Sequence, residues 1–171
     1  MKVALTGTPG VGKTSVSALV RSFQVLAVDA LAEAADAVAG FDRARDTKEV
    51  DVDKLAESVC RMEGDALIEG HLSHLLGVDV AIVLRCSPRI LKKRLMNKGW
   101  SEAKVMENVE AESVDVILIE ALEVVPVVCE IDVTDMSVSD VARAVEDILS
   151  GESEKYPVGD VDWSQEVLGW F

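Results

Sequence analysis

Basic residues are scarce in this chain: 17 Lys and Arg stand against 31 Asp and Glu, a formal net charge of −14. That balance argues against nucleic acid as a direct partner, because neutralising phosphates takes clustered cations. It suits solubility in a salty cytoplasm, or a basic protein partner. Cysteine is nearly missing. Cys60, Cys86 and Cys129 are odd in number and lack metal-ligand spacing, so they read as buried thiols of a reducing cytosol. His71 and His74 are spaced for one helix face, but no third ligand accompanies them, which argues against zinc. No apolar run is long enough to span a membrane and no signal-peptide pattern starts the chain, so the expected location is cytoplasmic. Aromatic residues are few, and Tyr156, Trp163, Trp170 and Phe171 crowd into the stretch 151–171.

What is present is a well-marked phosphate-binding loop. Residues 7–14 read Gly-Thr-Pro-Gly-Val-Gly-Lys-Thr, which matches G-x-x-x-x-G-K-[ST] at every fixed position. Val3, Ala4 and Leu5 before it read as a buried strand. The stretch 15–23 after it reads as a helix, with Val16, Leu19, Val20 and Phe23 on one face. A loop placed so aims its amides, and the positive end of a helix dipole, at an anion. Gly10 and Gly12 let the backbone approach phosphate, and Ser15 continues the loop into the helix. Lys13 has the reach for β- and γ-phosphates, and the Thr14 hydroxyl can hold Mg²⁺. ATP and Mg²⁺ are therefore the expected cofactors.

The rest of the chain alternates strand and helix. With 49% apolar residues over 171 positions, it suits one domain that buries roughly 70% of its unfolded surface. Strands are expected over 24–28, 66–68, 80–84 and 126–131, and helices over 31–38, from Asp51, from Ser87-Pro88 to Gly99, from Ser101 to about Val124, and from Ser137 to Leu149. The charged stretch 40–50 has no clear period and reads as a loop or mobile segment. The acid-rich stretch 104–120 reads as a solvated helix face. This order implies a five-stranded parallel sheet with helices on both faces, an α/β P-loop NTPase fold.

Several further stretches narrow the reading. Thr6–Thr14, Glu69-Gly70-His71, Val83-Leu84-Arg85, Arg94-Leu95, Lys98-Gly99-Trp100-Ser101-Glu102 and the run 107–112 occur in an order that resembles the adenylate kinase isoenzyme 6 family. In eukaryotes that family is also called coilin-interacting nuclear ATPase, and it has an archaeal branch. The resemblance covers about residues 1–149. It implies a nucleoside monophosphate kinase fold in which a segment near 28–51 closes over the monophosphate and a lid near 97–107 closes over ATP. It implies phosphoryl transfer between ATP and AMP or another nucleoside monophosphate, and ATP hydrolysis. It also implies a transient role in maturation of the pre-ribosomal small subunit, through a basic protein of that subunit, universal small-subunit protein eleven. The alternative is an ATPase switch with little kinase activity. A third possibility is a shikimate- or gluconate-type kinase, against which the lid stretch argues.

Three departures from the family pattern stand out. Glu69 replaces the usual Asp of Asp-x-His; Asp29-Ala30-Leu31-Ala32 shifts or loses the acid of Gly-Asp-Leu-Ala; and Lys98 stands where an Arg is common. A lysine offers a point charge and no planar fork, so it stacks more weakly on adenine. The monophosphate clamp is then expected from Arg43 or Arg45. Around the transferring group the expected cations are Lys13, Arg85 and Arg94. Glu69 is expected to hold a Mg²⁺-bound water and His71 to orient the attacking water. The tail 151–171 is read mainly as packing on its own domain, and secondarily as a docking element.

Overall fold

The computed structural model describes residues 1–42 and 47–169. Five parallel strands form the central sheet in the order β2–β5–β1–β6–β7: β1 is Lys2–Thr6, β2 Gln24–Ala27, β5 Ala66–Glu69, β6 Val80–Arg85 and β7 Val127–Asp132. Successive side chains on a strand point to opposite faces, and β1 shows the consequence. Val3 and Leu5 join one buried cluster and Ala4 the other, all at 0% exposure. Helices cover both. The first face carries α1 (Lys13–Ser17), α4 (Pro88–Asn97), α5 (Glu102–Ser113) and α7 (Val138–Leu149). The second carries α2 (Val28–Ala34), α3 (Val52–Cys60) and α6 (Val116–Val124). The sheet and its two helical layers match the architecture expected from the sequence.

Local structure departs from expectation in four places. The helix after the phosphate loop ends at Ser17 instead of running to residue 23. Its far end is taken over by side chains: Arg21 donates to the Ala18 and Val20 carbonyls, and Glu146 on α7 accepts the Arg21 and Ser22 amides. Residues 38–50 contain a two-stranded antiparallel hairpin, β3 (Val38–Asp42) with β4 (Thr47–Val50), where a loop was expected. Lys48 of that hairpin pairs with Glu33 on α2, and the Asp51 amide donates to the Ala37 carbonyl. The expected clamp residues Arg43 and Arg45 lie outside the described residues.

The long helix expected over 101–124 breaks at Asp115, whose φ of 60° is left-handed. Aspartate tolerates that conformation better than most residues, and the Asp115 carboxylate is held there by Arg85. Ser87 precedes α4, with Pro88 at the first position, but its hydroxyl does not cap the helix. It donates to Glu166 at 2.8 Å, and the other Glu166 oxygen accepts the Arg89 amide. A carboxylate from α8 (Ser164–Leu168) thus meets the positive end of α4. The expected caps Asp51, Ser101 and Ser137 all accept their helix amides.

The stretch after α7 lies on the domain. Tyr156 donates its hydroxyl to Asp147 at 2.8 Å, its carbonyl accepts the Glu130 amide, and the Gly159 amide donates to Glu130 at 2.8 Å. Trp170 and Phe171 fall outside the described residues. Of the three cysteines read as buried, Cys86 and Cys129 are; Cys60, at the end of α3, is exposed. No helix among the described residues is long and apolar enough to cross a membrane.

Candidate nucleotide site

The phosphate loop leaves the carboxyl end of β1 at the middle of the sheet, where crossovers run to both sides and a crevice opens. Gly7 must be glycine: its φ is 133°, and a Cβ would come within 2.4 Å of the Leu84 carbonyl oxygen. Gly12 has φ 114°, and a Cβ there would meet nothing within 4 Å, so its constraint is conformational and the space above it is open. Lys13 is 8% exposed. Its ammonium donates to the Gly7 carbonyl at 2.7 Å and the Thr8 carbonyl at 3.2 Å. Burial pulls its pKa down to about 8, opposed by the carboxylates of Glu69 and Glu112.

Lys13 lines a pocket of about 510 Å³ with Gly10, Gly12, Thr14, Ser15, Asp29, Glu69, His71, Lys98 and Trp100. Strand β5 pairs directly with β1, and this brings Glu69 to the loop: the Thr14 hydroxyl donates to Glu69 at 3.1 Å. The next residue, Gly70, gives way to Val28, which a Cβ would approach within 2.5 Å. Burial first, and then the Lys13 ammonium, push the His71 pKa below the ordinary imidazole value. A hydroxyl and a carboxylate oxygen side by side beside a phosphate cradle fit Mg²⁺, which takes few protein ligands and completes its shell with phosphate oxygens and water. Among the described residues no cluster of three His, Cys, Asp or Glu forms a denser metal centre.

A second cleft, of about 670 Å³, adjoins the first and shares Pro9, Val28, Asp29, His71 and Trp100 with it. Phe41, Lys48, Lys104, Asn108 and Glu120 form its far walls. Trp100 stands between the clefts with Lys104 Nζ 4.3 Å and Lys98 Nζ 5.9 Å from its ring centre, so one indole ring gathers two cations. Its place in a Lys-Gly-Trp-Ser stretch was visible in the sequence, its role as a wall was not. His74, unlike His71, is 1% exposed and sits between the Thr6 hydroxyl and Glu120.

Two expected cations stand elsewhere. Arg94 donates to the Val11 carbonyl at 3.2 Å and lines a third cleft of about 310 Å³ on the other side of the loop, with Gly12, Ser15, Val133 and Met136. Arg85 does not face the pocket. It is 1% exposed and its guanidinium is spent on Glu112 at 2.8 Å, Glu130 at 2.6 Å and Asp115. Trp163 lies 6.0 Å away across the ring centre. Burial works against the charged guanidinium, but Glu112 and Asp115 outweigh it and hold it protonated. The 104–120 stretch is likewise not a uniformly solvated face, because Glu112 is 3% exposed.

A family model described as an AAA domain matches residues 3–115. A protein named "Putative adenylate kinase" from Archaeoglobus fulgidus is 46% identical, over 98% of this chain and 94% of its own length. Relatives of the same name come from Thermococcus onnurineus, at 42% over 97% and 93%, and Natronomonas pharaonis, at 41% over 98% and 100%. Among solved structures, TT1252 from Thermus thermophilus superposes with a TM-score of 0.56 at 22% identity, over 88% of this chain and 96% of that one. Shikimate kinase from Bacteroides thetaiotaomicron gives 0.54 at 14%, over 88% and 98%. At such identities the structures testify to the fold alone.

Proposed function

The chain belongs to the family of these archaeal relatives, and on that footing we propose that it is an ATP:nucleoside monophosphate phosphotransferase of the adenylate kinase type. The observation that carries the reading is the pair of adjoining clefts. One holds the phosphate loop with Lys13, Thr14 and Glu69; the other has room for a nucleoside monophosphate, and Asp29, His71 and Trp100 belong to both. Phosphoryl transfer needs the donor and acceptor in line and their charge neutralised, with little covalent help from the protein. In this reading Lys13 and Lys98 neutralise the transferring group. Gly10, Gly12 and Ser15 cradle it, and Arg94 braces the loop through the Val11 carbonyl. Bound Mg²⁺, held by Thr14 and through water by Glu69, would supply further charge neutralisation. The segments near 28–51 and 97–107 carry Asp29, Lys48 and Trp100, and close the two clefts.

Hydrolysis of ATP is the second half of the proposal. His71, its pKa held below the ordinary imidazole value, lines both clefts and can accept a hydrogen bond from the attacking water. The finer placement in the isoenzyme 6 branch, with a role in small-subunit maturation, rests on the sequence resemblance and on the net charge of −14, which suits a basic ribosomal protein. A coupled assay with ATP and each of AMP, CMP, GMP and UMP, beside ATP alone, tests the activity. The expected outcome is acceptor-dependent ADP formation well above the ATP-only rate; equal rates with and without every acceptor would favour the ATPase switch.

A further inference from the structure

One buried carboxylate touches the elements that shape the phosphate loop. Glu112 lies in the last turns of α5, and its Oε1 accepts Arg85 Nε at 2.8 Å, the Cys86 amide at 3.2 Å and Trp163 Nε1 at 3.4 Å. Its Oε2 accepts the Thr8 hydroxyl at 2.5 Å. Thr8 is 2% exposed, and between Gly7 and Gly12 its side chain is the polar one, beside Pro9 and Val11. Left-handed glycines at 7, 10 and 12 make this loop permissive, so something outside it must select one shape.

The Thr8 carbonyl explains why that shape matters. It accepts both Lys13 Nζ at 3.2 Å and the Val11 amide at 3.3 Å, which closes the turn. A rotation at Thr8 would displace an acceptor that aims the lysine, and the turn that curls the loop. An ionised carboxylate offers about four acceptor sites and no donor, which matches four converging donors. A neutral amide of the same size offers one acceptor oxygen, and its NH₂ would face a donor on one side or the other.

We infer that Glu112 is a positioning residue: through the Thr8 hydroxyl it fixes the phosphate loop and the direction of Lys13, and it ties both to α5, whose first turns lie within residues 97–107. The inference rests on the nucleotide-binding reading of the pocket. It assigns the buried acid a role in holding the nucleotide that its packing alone does not require.

The test uses the full chain as wild type, Thr8→Val, Thr8→Ser, Glu112→Gln and the Thr8→Val/Glu112→Gln double variant. Mg-ATP affinity is measured by calorimetry well below each melting temperature. Thr8→Val keeps the shape and loses the hydroxyl; it is expected to weaken ATP binding about tenfold, the scale of one hydrogen bond to a charged group. Thr8→Ser restores affinity to within about twofold of wild type, because the hydroxyl returns. The double variant binds no more weakly than Glu112→Gln alone, since the two residues act as one unit. Wild-type affinity in Thr8→Val, or losses that simply add, would overturn the inference; a lowered melting temperature with unchanged affinity would mark the pair as structural only. If Glu112→Gln does not fold, the two Thr8 variants decide alone. A wild-type chain that binds ATP but transfers phosphoryl to no monophosphate overturns the kinase reading and leaves this test intact, whereas one that binds no ATP overturns both.

Discussion

Strands β5 and β6 flank β1 on opposite sides, and each ends on a charged residue beside the phosphate loop, Glu69 on one and Arg85 on the other. Glu69 faces the open pocket and meets Thr14. Arg85 turns inward and is closed over by Glu112, Asp115 and Glu130. Position at a strand's carboxyl end therefore does not by itself make a residue face a ligand. The counter-charge supplied by neighbouring elements decides. On the β5 side, Gly70 and Val28 pack without adding charge. On the β6 side, three carboxylates arrive from α5, the α5–α6 break and β7. The open side can then serve chemistry while the closed side serves the shape of the loop.

The sharpest way to break this comparison is Arg85→Ala. It would leave Glu112 and Glu130 buried without their cation, a loss of about 3–5 kcal/mol of stability measured by denaturant unfolding. A small change in midpoint would mean the network is not what holds this side together. Lys13→Ala, on the open side, should do the opposite. Transfer and hydrolysis should fall by roughly a hundredfold or more, the scale for losing one preorganised charge-stabilising donor, with the melting temperature preserved. Retention of more than about a tenth of wild-type turnover would remove Lys13 from its assigned role.

The same lysine gives a pH signature. Its pKa is lowered to about 8 by burial, so it carries its charge below that pH and loses it above. The kcat/KM for ATP, which reports the free enzyme, should be level below about pH 8 and fall toward tenfold per unit above it. A profile level to pH 10 would contradict this assignment. The smallest effect concerns His71. His71→Ala should slow ATP hydrolysis about tenfold more than AMP-dependent transfer, because hydrolysis must orient a water whereas transfer brings its own nucleophile. Both rates belong on one preparation; equal losses would make His71 common to the two reactions or structural.

Much of the fold was legible because its signals are local. Val3–Leu5 and Val80–Leu84 are short apolar runs of a sheet buried on both faces, and Asp51, Ser101 and Ser137 announce helix starts. Features set by distant partners were not legible. The helix break at Asp115 depends on Arg85, thirty positions away in the chain, and nothing near residue 115 interrupts the helical pattern. The pairing of β3 with β4 joins stretches with no clear period of their own, and Lys48 ties it to Glu33 on α2. Glu112 is different, because its signal is present in the sequence. It follows Val105 and Val109 on one helical stripe, and both are buried. An acid on an apolar stripe calls for buried donors, and here Arg85, the Cys86 amide, Trp163 and Thr8 provide them. The phosphate loop itself was fully readable, since its chemistry lies in consecutive residues.

Product stoichiometry tests the central claim most directly. ATP, Mg²⁺ and AMP are incubated with the full chain, and ADP and inorganic phosphate are followed together by phosphorus NMR. A nucleoside monophosphate kinase converts one ATP and one AMP into two ADP, with phosphate release a minor side product, and Lys13→Ala abolishes both. ATP consumption matched one-for-one by inorganic phosphate, with AMP untouched, would contradict the account.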